Sequence, residues 1–173
     1  MSIRLAATFA ALLLAPAVAS AQNGKPTDPQ IAHIANTAGQ LDIAAADQAL
    51  KKSSNKDVRA FAENMERDHK AVNEKALALV TKLKVTPEDN DTSKALSKQA
   101  ADKRAELDKL SGAAFDKAYI ANEVAYHKAV NAALAGTLIP AAQNSELKDL
   151  LETGLKIFQG HEQHAEHVAA EFK

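Results

Sequence analysis

The stretch Val58-Arg-Ala-Phe-Ala-Glu-Asn-Met-Glu-Arg-Asp-His-Lys-Ala-Val-Asn-Glu-Lys-Ala-Leu-Ala-Leu-Val-Thr-Lys-Leu83 decides the fold. Val58, Phe61, Ala62, Met65, Val72, Ala76, Leu79, Val80 and Leu83 recur at intervals of three and four, which puts them on one face of an α-helix. His69 falls inside that stripe, where an apolar residue belongs. Upstream, Ser53-Ser54-Asn55 supplies a break and a cap. Before it, Ile31, Ile34, Ala38, Leu41, Ala45 and Ala49 repeat the helical spacing behind Asp28, read as the cap, and Pro29 in the first turn.

Downstream, Val85 to Asp91 reads as a loop, and Thr92 or Ser93 starts a more polar helix through Leu96, Ala100, Leu107 and Leu110. Ser111-Gly112 breaks it. A fourth helix carries Phe115, Tyr119, Ile120, Tyr126, Val130 and Leu134, and Gly136 to Asn144, with Pro140, is read as the next connection. The last helix carries Leu147, Leu150, Leu151, Leu155, Phe158, Ala165, Val168 and Phe172. No alternating strand pattern occurs. The expected fold is all-α: a four-helix bundle over residues 28–173, with the polar segment near 93–110 as an additional crossover helix.

The first 21 residues read as a signal peptide. Arg4 gives the positive start, Leu5 to Ala15 the apolar centre, and Ala19-Ser20-Ala21 a cleavage site, after which residues 22–27 form a polar leader. The apolar run is too short, and too soon broken by Pro16, to span a bilayer. The expectation is a periplasmic or secreted protein with no integral membrane segment after cleavage. Cleavage removes Arg4, leaving 20 basic against 22 acidic residues, a net charge of −2. Such a balance carries no nucleic-acid footprint. The chain of 173 residues has no Cys, so neither disulfides nor a Cys-linked lipid hold it, and packing must. The partners left are an envelope protein or a second copy of the chain.

Three core stripes each carry an imidazole. His69 lies on the second helix, His127 on the inner flank of the fourth and His161 on the last. Carboxylates accompany them at helical spacing: Glu66 precedes His69 by three residues and Glu123 precedes His127 by four. With a rise of ~1.5 Å per residue, His69 lies about 22 Å, and Asp42 about 17 Å, from the turn that joins their helices. The residues expected to hold a transition-metal ion (Fe, Mn, Zn or Cu) are therefore His69, His127, His161, Glu66 and Glu123. Asp42, Asp68, Asp116 and Tyr119 are expected to stand behind them, Asp68 as an orienting partner for an imidazole on a neighbouring helix. The alternative is a metal-free polar network that fixes helix register in a structural or interaction module. No nucleophile elbow, phosphate loop or dinucleotide fingerprint occurs, and no catalytic residue is assigned.

Ile34-Ala-Asn-Thr-Ala-Gly-Gln-Leu-Asp42-Ile, Met65-Glu-Arg-Asp68-His69 and Leu110-Ser-Gly-Ala-Ala-Phe-Asp116-Lys-Ala-Tyr119, followed by His127 and His161, resemble the bacterial "domain of unknown function 4142" family over about residues 28–170. The resemblance implies a ferritin-like bundle that is usually exported, with Asp42, Asp68, His69, Asp116, Tyr119, His127 and His161 as its characteristic polar residues; it implies no activity. A ferritin-like di-iron site wants E-x-x-H on two helices. Here only Glu66/His69 fits, because the last helix offers His161-x-x-His164. The resulting expectation is metal sequestration or stress protection in the envelope rather than oxygen chemistry.

Overall fold

The computed structural model describes residues 24–172, so the signal-peptide reading of residues 1–21 lies outside them. Those residues form helices α1 (Asp28–Lys52), α2 (Lys56–Leu83), α3 (Asp91–Asp108), α4 (Gly112–Ala133), a single turn α5 (Ile139–Ala141) and α6 (Ser145–Ala170), and no strand occurs among them. The caps explain most boundaries. The Asn55 side chain accepts the N–H groups of Asp57 and Val58, and those of Asn90 and Asn144 accept Ser93 and Leu147. α3 therefore starts from Asn90 rather than from Thr92 or Ser93.

Thr27, not Asp28, caps α1, its N–H donating to Gln30 Oε1 at 3.1 Å. Asp28 instead closes the far end of the bundle. Its carboxylate accepts the Gln143 and Asn144 N–H groups at 2.8 and 2.9 Å, fixing the chain where it enters α6. We predict that Asp28→Ala lowers stability by about 1–2 kcal/mol in urea denaturation, the scale of two partly exposed charge-assisted bonds. An unchanged midpoint would mean that the turn holds without them.

The segment expected to connect the fourth and last helices is mostly helical. Leu134–Leu138 is a π-helical turn that runs into α5, and only Ala142 to Asn144 lie outside helix. Pro140 gives the reason. Its nitrogen cannot donate to Gly136, and its ring would crowd that carbonyl in a regular α-helix. The wider turn relieves both, with Ile139 N–H reaching back to the Leu134 carbonyl.

Neighbouring long helices run antiparallel: α1 beside α2, α4 beside α6, α2 beside α6 and α1 beside α4. α3 lies along the outside of α1 and parallel to it. Its start is tied to the α1 start through Glu88 N–H on the Pro29 carbonyl, at 3.0 Å. Its end is tied to the α1 end, where Lys52 donates to the Asp108 carbonyl (2.7 Å) and Gln48 to that of Arg104 (2.9 Å). This is the crossover expected from sequence: it carries the chain back so that α4 runs parallel to α2. Gly39 lets α1 and α2 approach closely, since a Cβ there would stand 2.4 Å from Asn73 Oδ1.

The core is split in two. Phe61, Met65, Phe115, Tyr119 and Val168 fill one end; Ile31, Ile34, Leu134, Leu147 and Leu151 fill the other. The polar residues of the stripes lie between these halves.

Candidate metal centre

The polar residues of this middle layer are delivered by four helices. Asp42 comes from α1, His69 from α2, Glu123 and His127 from α4 and His161 from α6, and none is more than 6 % exposed. The three imidazoles form a nearly equilateral triangle, with ring centres 5.9 Å apart for His69 and His127 and 5.4 Å for each of the other pairs. One nitrogen from each ring lies within 4.8 Å of the others; Asp42, Glu123 and His127 form a second such group. Phe158 stacks on His69 at 4.6 Å, nearly parallel, and fixes that ring's plane.

The hydrogen bonds assign the tautomers. His127 Nδ1 lies 3.0 Å from the Glu123 backbone carbonyl, which only accepts, so Nδ1 carries the proton and Nε2 presents a lone pair. His161 Nε2 lies 3.0 Å from Asp68 Oδ2, so Nε2 carries the proton and the buried Nδ1 is free. Asp68 is itself gripped by Arg67 at 2.7 and 3.1 Å. A carboxylate behind an imidazole is the arrangement that orients metal-binding histidines. Asp42 Oδ2 approaches His69 Nε2 to 2.5 Å and His127 Nε2 to 3.6 Å. The shorter contact lacks the N–H···O alignment of a hydrogen bond, and both nitrogens of His69 are left without one. Both oxygens of Asp42, Glu123 Oε2, His127 Nε2 and His161 Nδ1 are likewise buried and unpartnered. Buried polar atoms are nearly always paired, and here the orphans converge on one place.

Charge follows from this packing. Burial pushes the Asp42 carboxyl up, but the contact with His69 and the neighbouring His127 outweigh it and hold it at about 2. Burial, then repulsion from Asp42, pushes Glu123 well above the usual carboxylate range, so it favours the protonated acid. Burial lowers His127 despite Asp42, and holds His161 at about 4 despite Asp68. Burial, then the same two carboxyls, pushes the Tyr119 and Tyr126 phenols well up.

These shifts predict a pH-dependent stability for the metal-free protein. A histidine whose pKa is lowered in the fold resists protons that the unfolded chain accepts, so His127 and His161 make acid destabilising below their ordinary 6.5. Glu123 acts oppositely: the fold holds a proton that the unfolded carboxyl loses above 4.5. Two groups against one leave a rise of at most about 1.4 kcal/mol per pH unit between 4.5 and 6.5. Urea midpoints of EDTA-treated protein should climb from pH 4.5 to 6.5; a flat or falling profile over that range would contradict the assigned states.

Four of the five expected ligands are brought together; Glu66 is not. Its side chain is 29 % exposed and pairs with Lys70 one turn on, because three residues along a helix still rotate it well away from His69 toward water. Asp42, expected behind the ligands, stands among them. Asp68 has the orienting place expected for it. Asp116 and Tyr119 lie in the first core half and not among the imidazoles; the Tyr119 ring stacks on Phe115 at 6.0 Å. The grip of Arg67 on Asp68 and the stacking of Phe158 were not anticipated. Phe158 lies one turn before His161 on its stripe, which was the available signal.

The fold and this layer define an all-α bundle of five main helices with a buried carboxylate–histidine centre. The chain belongs to the family described as domain of unknown function (DUF4142), which matches residues 13–168. Comparison with curated proteins and with solved structures gave no match.

Proposed function

We propose that the protein is an exported, ferritin-like bundle that holds one transition-metal ion on His69, His127 and His161, with Asp42 and Glu123 beside it, in sequestration or stress protection at the cell envelope. The observation that carries this reading is the convergence of three imidazole nitrogens, within 4.8 Å, from three separate helices. Two of the rings have their second nitrogen committed elsewhere, to the Glu123 carbonyl and to Asp68, which frees the first for a metal. Imidazole with a neighbouring carboxylate suits Fe, Mn, Zn and Cu, and sites of three protein nitrogens are common for such ions. The Arg4 start, the apolar run from Leu5 to Ala15 and the Ala19-Ser20-Ala21 cleavage site support the envelope location. Protein refolded without a His tag and offered Fe, Mn, Zn and Cu should retain about one ion per chain; a ratio near zero sinks the reading.

A second reading, a metal-free structural or interaction module, is favoured by the His127–Glu123 carbonyl bond and the His161–Asp68 bond, which satisfy part of the layer without an ion. On that reading His127→Ala loses the same stability with or without added metal.

A further inference from the structure

A cavity of about 830 Å³ lies against the polar layer and opens along the groove between α1, α3 and α4. Small-molecule sites span roughly 300–1,000 Å³ and are lined mostly by apolar side chains with a few placed polar groups. Ala38 and Ala45 of α1, Leu96 and Ala100 of α3, and Val130 and Leu134 of α4 give this one its apolar walls. Arg104 lines the same cavity, and its Nε is buried without a hydrogen-bond partner. A shielded guanidinium N–H beside hydrocarbon is costly to leave unpaired, and its planar fork matches a carboxylate. The neighbouring cation, Lys103, is already engaged by Glu106 at 2.5 Å. Among the described residues lining the cavity, Arg104 is the cation left without an ion pair, which suits a single negative charge on a hydrocarbon body.

We propose that this groove binds an amphipathic monocarboxylate of the fatty-acid class, its carboxylate on Arg104 and its chain along α4 toward Leu134. Asp42, His69, Glu123 and His127 line the inner wall of the same cavity, so the groove borders the metal centre, but the carboxylate site on Arg104 needs no metal.

The test uses metal-stripped protein and a dansyl-undecanoate fluorescence probe, displaced by dodecanoate or by its methyl ester. Dodecanoate should displace the probe, with the ester weaker by about tenfold or more, the scale of one lost charge-assisted bond. Arg104→Gln should erase that difference. Ala129→Trp, at the exposed α4 lip, should abolish binding. Absence of binding, equal binding of acid and ester, or an acid–ester difference that survives Arg104→Gln would each overturn the proposal.

Discussion

A His127→Leu variant is expected to fold and to bind metal at least about 100-fold more weakly than the parent chain, since even a residue that merely orients a ligand is worth 10- to 100-fold. Folding should survive because the substitution keeps roughly the volume of a fully buried side chain and removes an unpartnered Nε2. The Glu123 carbonyl that loses its Nδ1 partner keeps its place in α4. Thermal unfolding separates the two effects. An ion at a thousand times its Kd stabilises the parent by about 4 kcal/mol through mass action, and a variant 100-fold weaker should gain only about 1.4 kcal/mol or less. Equal metal-induced shifts in both proteins would remove His127 from the centre.

Asp42→Ala is expected to cost about 1–3 kcal/mol even without metal, because it takes away the carboxylate that the buried His69 and His127 nitrogens face and leaves those polar atoms with no neighbour. Asp42 is 2 % exposed and touches imidazoles from two helices, His69 and His127. It is also the layer's main anion, since its carboxyl is held down while Glu123 is pushed up. Asp42→Asn keeps the shape without the charge and should fall between parent and Ala. A loss below about 1 kcal/mol for Asp42→Ala would show that the layer does not depend on this carboxylate.

The helices were legible because apolar spacing reports burial directly. His69, His127 and His161 could be picked out for the same reason: each occupies a stripe position from which an ordinary polar residue would be excluded. Asp42 was less legible, because the apolar spacing of α1 put Leu41 on the stripe, whereas in the fold Asp42, one turn past Ala38, is buried and Leu41 only half-buried. Glu66 misled because the E-x-x-H spacing weighs sequence distance and ignores rotation; its partner is Lys70 on the surface. The turn at Leu134–Leu138 was hidden because Gly and Pro are punctuation in most contexts, and only the packing of Leu134 and Leu138 into the core shows the chain continuing as helix. The tautomers had no sequence signal, for they depend on where one carbonyl and one carboxylate lie across helix turns and across the α2–α6 seam.

Those tautomers give the most direct test of the three-imidazole centre. In ¹⁵N spectra of the histidine rings, titrated with Zn²⁺, the account predicts that His127 Nε2 and His161 Nδ1 shift on binding together with one nitrogen of His69. His127 Nδ1 and His161 Nε2 should stay protonated throughout. Unmoved core rings, or changes confined to His164 and His167 at the end of α6, would contradict it.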